Sequence, residues 1–214
     1  MDLSLQILNK DQVSVANKLG FLSYPPYYLG GGTALALQFG HRTSLDFDFY
    51  SQGKLDVGKL LETIKGSFEK VEVESQSEDT LLVIVDGVRL SVFYYPYPLI
   101  DGLLEWEGKK MASLKDIAAM KVVAIVQRAR QRDFIDMYYL IQKLKIEEII
   151  KSVYKKYPWY EENNRILFTA LTYFEEADSD PEAGKIAVVD QSVTWEKVKA
   201  SIKDSVSEYL ASGL

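Results

Sequence analysis

Tyr28-Leu29-Gly30-Gly31-Gly32-Thr33-Ala34-Leu35-Ala36-Leu37, continued by Gly40-His41-Arg42-Thr43-Ser44-Leu45-Asp46-Phe47-Asp48-Phe49-Tyr50, is the stretch on which the reading of this chain turns. It has the pattern of a short apolar strand, a tight glycine turn, one or two turns of helix, and a second strand that carries two acids. Glycine allows positive φ and a close backbone approach to a ligand. A helix opening directly behind such a turn points free N–H groups at any anion above it. Asp46 and Asp48 are two apart in an extended run, so their carboxylates emerge on one face while Phe47 and Phe49 enter the core. Carboxylates are hard ligands suited to Mg²⁺, and a divalent ion beside a phosphate cradle is the equipment of phosphoryl or nucleotidyl transfer.

The rest of the composition is compatible with such a site. The chain has 214 residues, 47% hydrophobic and 26% charged, enough for one large or two small globular domains. It has no cysteine, which removes disulfides and thiolate metal sites and fits a reducing compartment. His41 is the only histidine, which excludes a multi-histidine metal centre and gives no support to a hydrolase triad. The start, Met1-Asp2-Leu3-Ser4-Leu5-Gln6, lacks the basic and apolar regions of a signal peptide. No run approaches the roughly 18 apolar residues of a membrane span. A cytoplasmic protein that makes no membrane contact is expected. A net charge of −6 argues against a general nucleic-acid coat protein. Between Leu114 and Arg132, however, Lys115, Lys121, Arg128, Arg130 and Arg132 face a single acid, Asp116, whereas acids gather from Glu175 to Glu182.

Taken in order, residues 3–20 read as a helix closed by Gly20, followed by Ser23-Tyr24-Pro25-Pro26, which leads into the strand at Tyr27. Lys54 to Phe68 returns to helical period. Val71–Glu74, Thr80–Val85 and Val88–Tyr95 are extended, the last two joined by Asp86-Gly87, a strong hairpin signal. Ser113 is a plausible N-cap for a helix from Leu114 to about Ala129, with Asp116 in its first turn. Further helices read from Asp133, Ile146, Arg165 and Thr194 onward. The expected fold class is α+β: an N-terminal mixed sheet with flanking helices over residues 1–110, then a helical domain over 111–214.

The spacing of Gly31-Gly32, thirteen residues, then Asp46-x-Asp48 resembles the signature of the DNA polymerase β-type nucleotidyltransferase superfamily. The fuller string, Gly-Gly-Thr-Ala-Leu with His-Arg-x-Ser and Asp-Phe-Asp-Phe, is similar to a narrower group, the AbiEii-type nucleotidyltransferase toxins of abortive-infection and toxin–antitoxin systems. Ser113 to Lys121 and Arg132 to Leu140 extend the resemblance, which covers roughly residues 27–141 and, more weakly, Tyr173 to Asp178. It implies a Mg²⁺-dependent enzyme moving a nucleoside monophosphate from an NTP to a hydroxyl acceptor. It further implies a toxin acting on tRNA or other RNA, partnered by an antitoxin protein. Two alternatives stay open: a small-molecule, antibiotic-modifying nucleotidyltransferase, and a nucleotide-binding interaction module without turnover.

By this resemblance Asp46 and Asp48 hold the metal, and Gly31, Gly32, Thr33, Arg42, Ser44 and Arg132 bind nucleotide or phosphate. Lys121 contacts the triphosphate. The superfamily's third carboxylate is expected on the strand Val88-Arg89-Leu90-Ser91-Val92-Phe93, which has none, so Asp133 and Asp136 are candidates for its role. Each residue also has a plainer reading. Lys121 suits a half-buried helix with its ammonium reaching water, and Asp133 suits a helix N-terminus. Arg42 either touches phosphate or pairs with Asp48. Arg128 and Arg132 share a face with Lys121 if the helix runs unbroken, and that face either guides RNA or is an ion-paired surface. Phe93, Tyr94, Tyr95 and Tyr97 stack on bases or pack a core.

Overall fold

The computed structural model describes residues 3–24 and 26–213. Met1, Asp2, Pro25 and Leu214 lie outside the described residues, and with them the Met1-Asp2 start and the first proline of the Pro25-Pro26 pair. The chain divides into two compact units, Met1–Pro98 with Gly102–Ala112, and Leu99–Asp101 with Ser113–Leu214.

The first unit is built on a seven-stranded mixed sheet. Its strands are β1 (Tyr27–Leu29), β2 (Phe47–Ser51), β3 (Val71–Gln76), β4 (Thr80–Val85), β5 (Val88–Tyr94), β6 (Leu104–Trp106) and β7 (Lys109–Met111), in the order β3-β4-β5-β2-β1-β7-β6. β2 runs antiparallel to β1 and parallel to β5. Period-two burial fixes the register. Phe47, Phe49, Leu81, Val83, Leu90 and Val92 are fully buried on one face, and the alternate residues of β2 and β4 are half-buried on the other. A one-residue slip of β2 would expose two phenylalanines, each worth roughly 1.5–3 kcal/mol when buried, and drive the Asp48 carboxylate into the core.

Turn chemistry closes the sheet. Asp86 (φ 47°) and Gly87 (φ 87°) make the hairpin between β4 and β5, the two positive φ values of the turn whose twist matches paired strands. Asp86 also accepts N–H bonds from Glu69 and Lys70 and pairs with Lys18. β6 and β7, absent from the reading of the sequence, form a second hairpin through Glu107 (φ 48°) and Gly108 (φ 75°). Glu105, Glu107, Lys109 and Lys110 hide it, since a charged Glu-Gly turn lacks the usual Asn-Gly or Asp-Gly signature. β7 pairs with β1, and the Ala112 N–H donates to the Leu29 carbonyl at 2.8 Å.

The helices of this unit are α1 (Lys10–Lys18), α2 (Gly31–Phe39) and α3 (Val57–Ser67). The single helix expected over residues 3–20 is three pieces, with 3₁₀ turns at Leu5–Ile7 and Leu19–Leu22 flanking α1. The cause is Asn9, which caps α1 in a reciprocal box with Gln12 and so starts a new helix there. Gly20 falls inside the second 3₁₀ turn and is not the cap.

The second unit contains α4 (Leu114–Arg128), α5 (Gln131–Lys156), the short α6 (Trp159–Glu162), α7 (Asn164–Thr172), the short α8 (Glu175–Asp178) and α9 (Trp195–Ala211). Ser113 caps α4 by accepting the Asp116 N–H at 3.1 Å. α5 is broken at Lys145, whose φ of 59° and ψ of 151° are not helical. The helix expected from Arg165 onward stops at Thr172, and α8 begins after Phe174. Phe174 is held by packing on Phe134 (4.9 Å between ring centres) and Trp195 (5.9 Å). Asp116 has a second task. Wholly buried, it pairs with the equally buried Lys156 at 2.8 Å and accepts the N–H groups of Ile100 and Asp101, which ties residues 99–101 to this unit.

Candidate active site

In the sheet unit the site is made by the turn between β1 and α2. Gly31 sits at φ 63°, and a Cβ placed on it would lie 2.8 Å from the Asp48 Oδ2. The position therefore demands glycine twice, for left-handed backbone and for space. The Asp48 carboxylate consequently rests directly on the first residue of α2, the end of a helix where N–H groups lack intrahelical partners. The Gly30 N–H donates to the Asp48 carbonyl at 2.9 Å, locking turn to strand. A Cβ on Gly32 would meet the Arg42 Nη2 at 2.5 Å, so the guanidinium packs on the same turn. Arg42 is 2% exposed and donates from Nη1 to the Thr43 carbonyl at 2.8 Å.

Thr33 and Ser44 lie at the base of this arrangement. Their hydroxyls are 2.7 Å apart, and the Thr33 hydroxyl also bonds the Asp46 carbonyl. Gln12 donates to the Ser44 carbonyl at 2.7 Å, pinning the loop to α1. Both hydroxyls are buried and hold the backbone that delivers Asp46. Asp46 and Asp48 are half-buried, while Phe47 and Phe49 are fully buried on the opposite face. His41 is buried against Phe39. On β5 the residue opposite Asp48 is Ser91.

Mg²⁺ takes oxygen ligands and is commonly held by one or two carboxylates, with waters and substrate phosphates completing its shell. Two carboxylates on one face, one of them against a helix N-terminus, fit that requirement. Among the described residues no group of three or more His, Cys, Asp or Glu side chains is placed to hold a metal ion.

The helical unit has a different constellation. The Lys121 Nζ lies 2.6 Å from Asp133 Oδ1 and 2.6 Å from Asp136 Oδ2, and Arg128 Nε is 3.2 Å from Asp133 Oδ2. Both aspartates are wholly buried, and Lys121 is 5% exposed. Burial pushes the Asp133 carboxyl upward, but the charges of Lys121 and Arg128 outweigh it and hold it below the usual aspartate range. An ammonium has three N–H donors; two are directed at these carboxylates.

The shared basic face of Lys121, Arg128 and Arg132 does not form. α4 ends at Arg128, Ala129 turns left-handed at φ 39°, and α5 starts at Gln131. The basic run is not a patch in space either. Lys115 faces Asp101 at 4.0 Å, Arg130 pairs with Asp180 at 2.9 Å, and Arg132 pairs with Glu182 at 3.2 Å. The acids gathered near residue 180 are thus partners of the bases gathered near residue 130. Asp180 also caps the start of α5, accepting the Gln131 N–H at 2.9 Å. The Asp116–Lys156 pair escaped the sequence reading because its members are far apart and each has a local explanation. The Ser113-x-x-Asp116 cap is real and conceals the second role.

Comparison with known proteins gives a consistent result. The family described as "Nucleotidyl transferase AbiEii toxin, Type IV TA system" matches residues 22–94 and 99–209. An uncharacterized protein of Aquifex aeolicus (strain VF5) is 36% identical over 210 residues, spanning 95% of this chain and 98% of that protein. MenT4, a nucleotidyltransferase toxin from Mycobacterium tuberculosis H37Rv, superposes with a TM-score of 0.63 at 16% identity, over 92% of this chain and 82% of that one. JHP933 from Helicobacter pylori superposes with a TM-score of 0.61 at 19% identity, over 96% and 92%. At these identities the structural likeness is one of fold.

Proposed function

We propose, from the premise that the chain belongs to the AbiEii nucleotidyltransferase toxin family of type IV toxin–antitoxin systems, that it transfers a nucleoside monophosphate from an NTP to a hydroxyl of an RNA acceptor, releasing pyrophosphate. The observation that carries this reading is the Asp48 carboxylate lying on Gly31 at the start of α2, which brings an anion cradle and a cation ligand together.

Asp46 and Asp48 would hold Mg²⁺, which when bound neutralises charge on the triphosphate and brings it into the site. The N–H groups at the start of α2 bind phosphate oxygens, and Gly31 and Gly32 let the backbone come close to them. Arg42, packed on Gly32, adds fixed positive charge beside the turn. By the family resemblance Lys121 has the role of neutralising charge that grows on the triphosphate as the leaving pyrophosphate departs. Asp133 is a poor general base, because a carboxyl held below its ordinary range has little affinity for a proton at neutral pH. Asp133 and Asp136 are therefore positioning residues that fix the Lys121 ammonium. A cognate antitoxin and a cytoplasmic location complete the reading, and among the described residues no helix is long and apolar enough to cross a membrane.

The test is incubation with each labelled NTP and total RNA, with an aminoglycoside arm beside it. Label should move to RNA in the wild type. Asp46→Ala and Asp48→Ala should each lose on the order of 10²-fold or more in rate while keeping the wild-type circular dichroism spectrum. Transfer unaltered in both variants would overturn the assignment, and label on the aminoglycoside alone would move the acceptor to small molecules.

A further inference from the structure

Asp48 shares its sheet face with a chain of aromatic rings. Tyr50 follows it two residues along β2, about 7 Å away at the rise of an extended strand. Tyr50 is stacked on Tyr28 (centroids 5.9 Å apart, planes 26° apart) and on Phe93 (5.4 Å, 29°), which are its cross-strand partners on β1 and β5. Tyr95 meets the edge of Tyr50 at 5.1 Å, and Tyr97 is tilted against Tyr95 at 4.7 Å. The row therefore starts beside the proposed metal ligand and leads outward. Tyr28 is 1% exposed, Tyr50, Phe93 and Tyr95 are half-buried, and Tyr97 is 41% exposed.

The outermost of these rings, Tyr97, is exposed and sits on a stiff support. Tyr97 lies between Pro96 and Pro98, whose fixed φ angles restrict the segment, and its carbonyl accepts a hydrogen bond from Gln52 Nε2 at 3.1 Å. The Tyr95 N–H is bonded to the Ser51 carbonyl at 2.7 Å, so the backbone carrying the outer rings stays docked to β2. Rings fixed in advance lose little freedom on binding a flat ligand.

We propose that Tyr95 and Tyr97 form a stacking platform for a nucleobase. The occupant follows from the setting, and this inference rests on the proposed nucleotidyl transfer: the platform shares a face with Asp48, where both substrates of the reaction bear bases. Flat π faces stack on tyrosine with little regard to base identity, so the platform contributes affinity and placement rather than a strict choice among bases. The base comes from one of two sources, the NTP donor or the acceptor strand of the RNA, and the two are separable by experiment.

The experiment measures equilibrium binding to full-length protein with Mg²⁺ present, using an NTP, a short unstructured RNA, and inorganic tripolyphosphate as the base-free control. The variants are Tyr97→Ala, Tyr95→Leu and Tyr95→Phe; because Tyr97 is exposed, its truncation leaves the fold in place. Tyr97→Ala and Tyr95→Leu should weaken one base-bearing ligand roughly five- to hundredfold, with Tyr95→Phe and tripolyphosphate affinity unchanged. Loss confined to the NTP identifies the donor base, and loss confined to RNA identifies the acceptor. The platform is overturned if Tyr97→Ala and Tyr95→Leu bind both ligands as the wild type does, if tripolyphosphate weakens in parallel, or if the wild type binds neither base-bearing ligand better than tripolyphosphate. Because no turnover is read, this outcome is independent of whether the Asp46 and Asp48 variants abolish transfer.

Discussion

The two units handle their acidic side chains in opposite ways. In the sheet unit Asp46 and Asp48 are two residues apart where the chain enters β2, and Gly31 leaves room for the second carboxylate. In the helical unit Asp133 and Asp136 are wholly buried and placed by side-chain pairing, converging on one ammonium contributed by another helix. The first arrangement leaves half-buried oxygens suited to a cation that arrives with substrate. The second balances its charges within the protein, since unpaired buried charge is too costly to keep. The two arrangements are distinguishable by what happens when a member is removed.

Removing Lys121 should have the largest effect. Lys121→Ala leaves two carboxylates buried without their main counter-charge, and breaking a buried pair in this way costs about 3–5 kcal/mol. Asp46→Ala, at a half-buried position just before β2, should shift stability by less than about 1 kcal/mol. Urea unfolding of the two variants side by side checks the contrast, which fails if Asp46→Ala is as damaging as Lys121→Ala. Gly31→Ala comes next. Its left-handed backbone costs about 1–2 kcal/mol with a side chain present, and the added methyl presses on the Asp48 carboxylate, so transfer should fall further than stability does. Gly20→Ala, with nothing within 4 Å of the added carbon, is the matched control and should be neutral.

Acid should sharpen the same contrast. Asp133 binds its proton less readily in the folded chain than in the unfolded one, where the ordinary value is 3.8. Its contribution to stability is therefore fully present above that value and is lost as pH falls below it through the lower folded value. Asp180 is shifted in the same direction; burial raises it, but the backbone N–H groups of Glu182 and Gln131 and the Arg130 guanidinium prevail. Unfolding monitored between pH 5 and pH 2 should show helical signal lost on acidification, and Asp133→Asn, although less stable at neutral pH, should show a shallower dependence over that interval. The smallest effect belongs to an exposed pair. Arg89→Ala removes the salt bridge to Glu74 on the sheet surface, and the unfolding midpoint should not move measurably, as expected for solvent-screened charges.

Much of the sheet unit was legible in sequence because its signals are local. The Gly31 turn, the Asp46–Asp48 alternation and the Asp86-Gly87 hairpin each depend on residues a few positions apart, and backbone sterics convert such spacing directly into geometry. Misreadings began where an element's limits depended on distant partners. The break in α5 at Lys145 is not among them, since a second helix reads from Ile146 in the sequence itself. Phe174 ends a helical run because it is wanted between Phe134 and Trp195. The basic run near residue 130 reads in sequence either as a guide for RNA or as an ion-paired surface, and its partners near residue 180 become visible only once the helices are packed.

The sequence by itself determined the α+β class, the glycine turn, the two carboxylates on one strand face and the family resemblance, all consequences of steric periods that act over a few residues. Only the tertiary structure decided that Arg42 packs on Gly32, that Lys121 is shared by two aspartates, that Asp116 is paired with Lys156 and that Tyr50 joins a row of rings. Those contacts are set by which buried charges must find counter-charges and which apolar faces must meet, and no rule of sequence spacing specifies either.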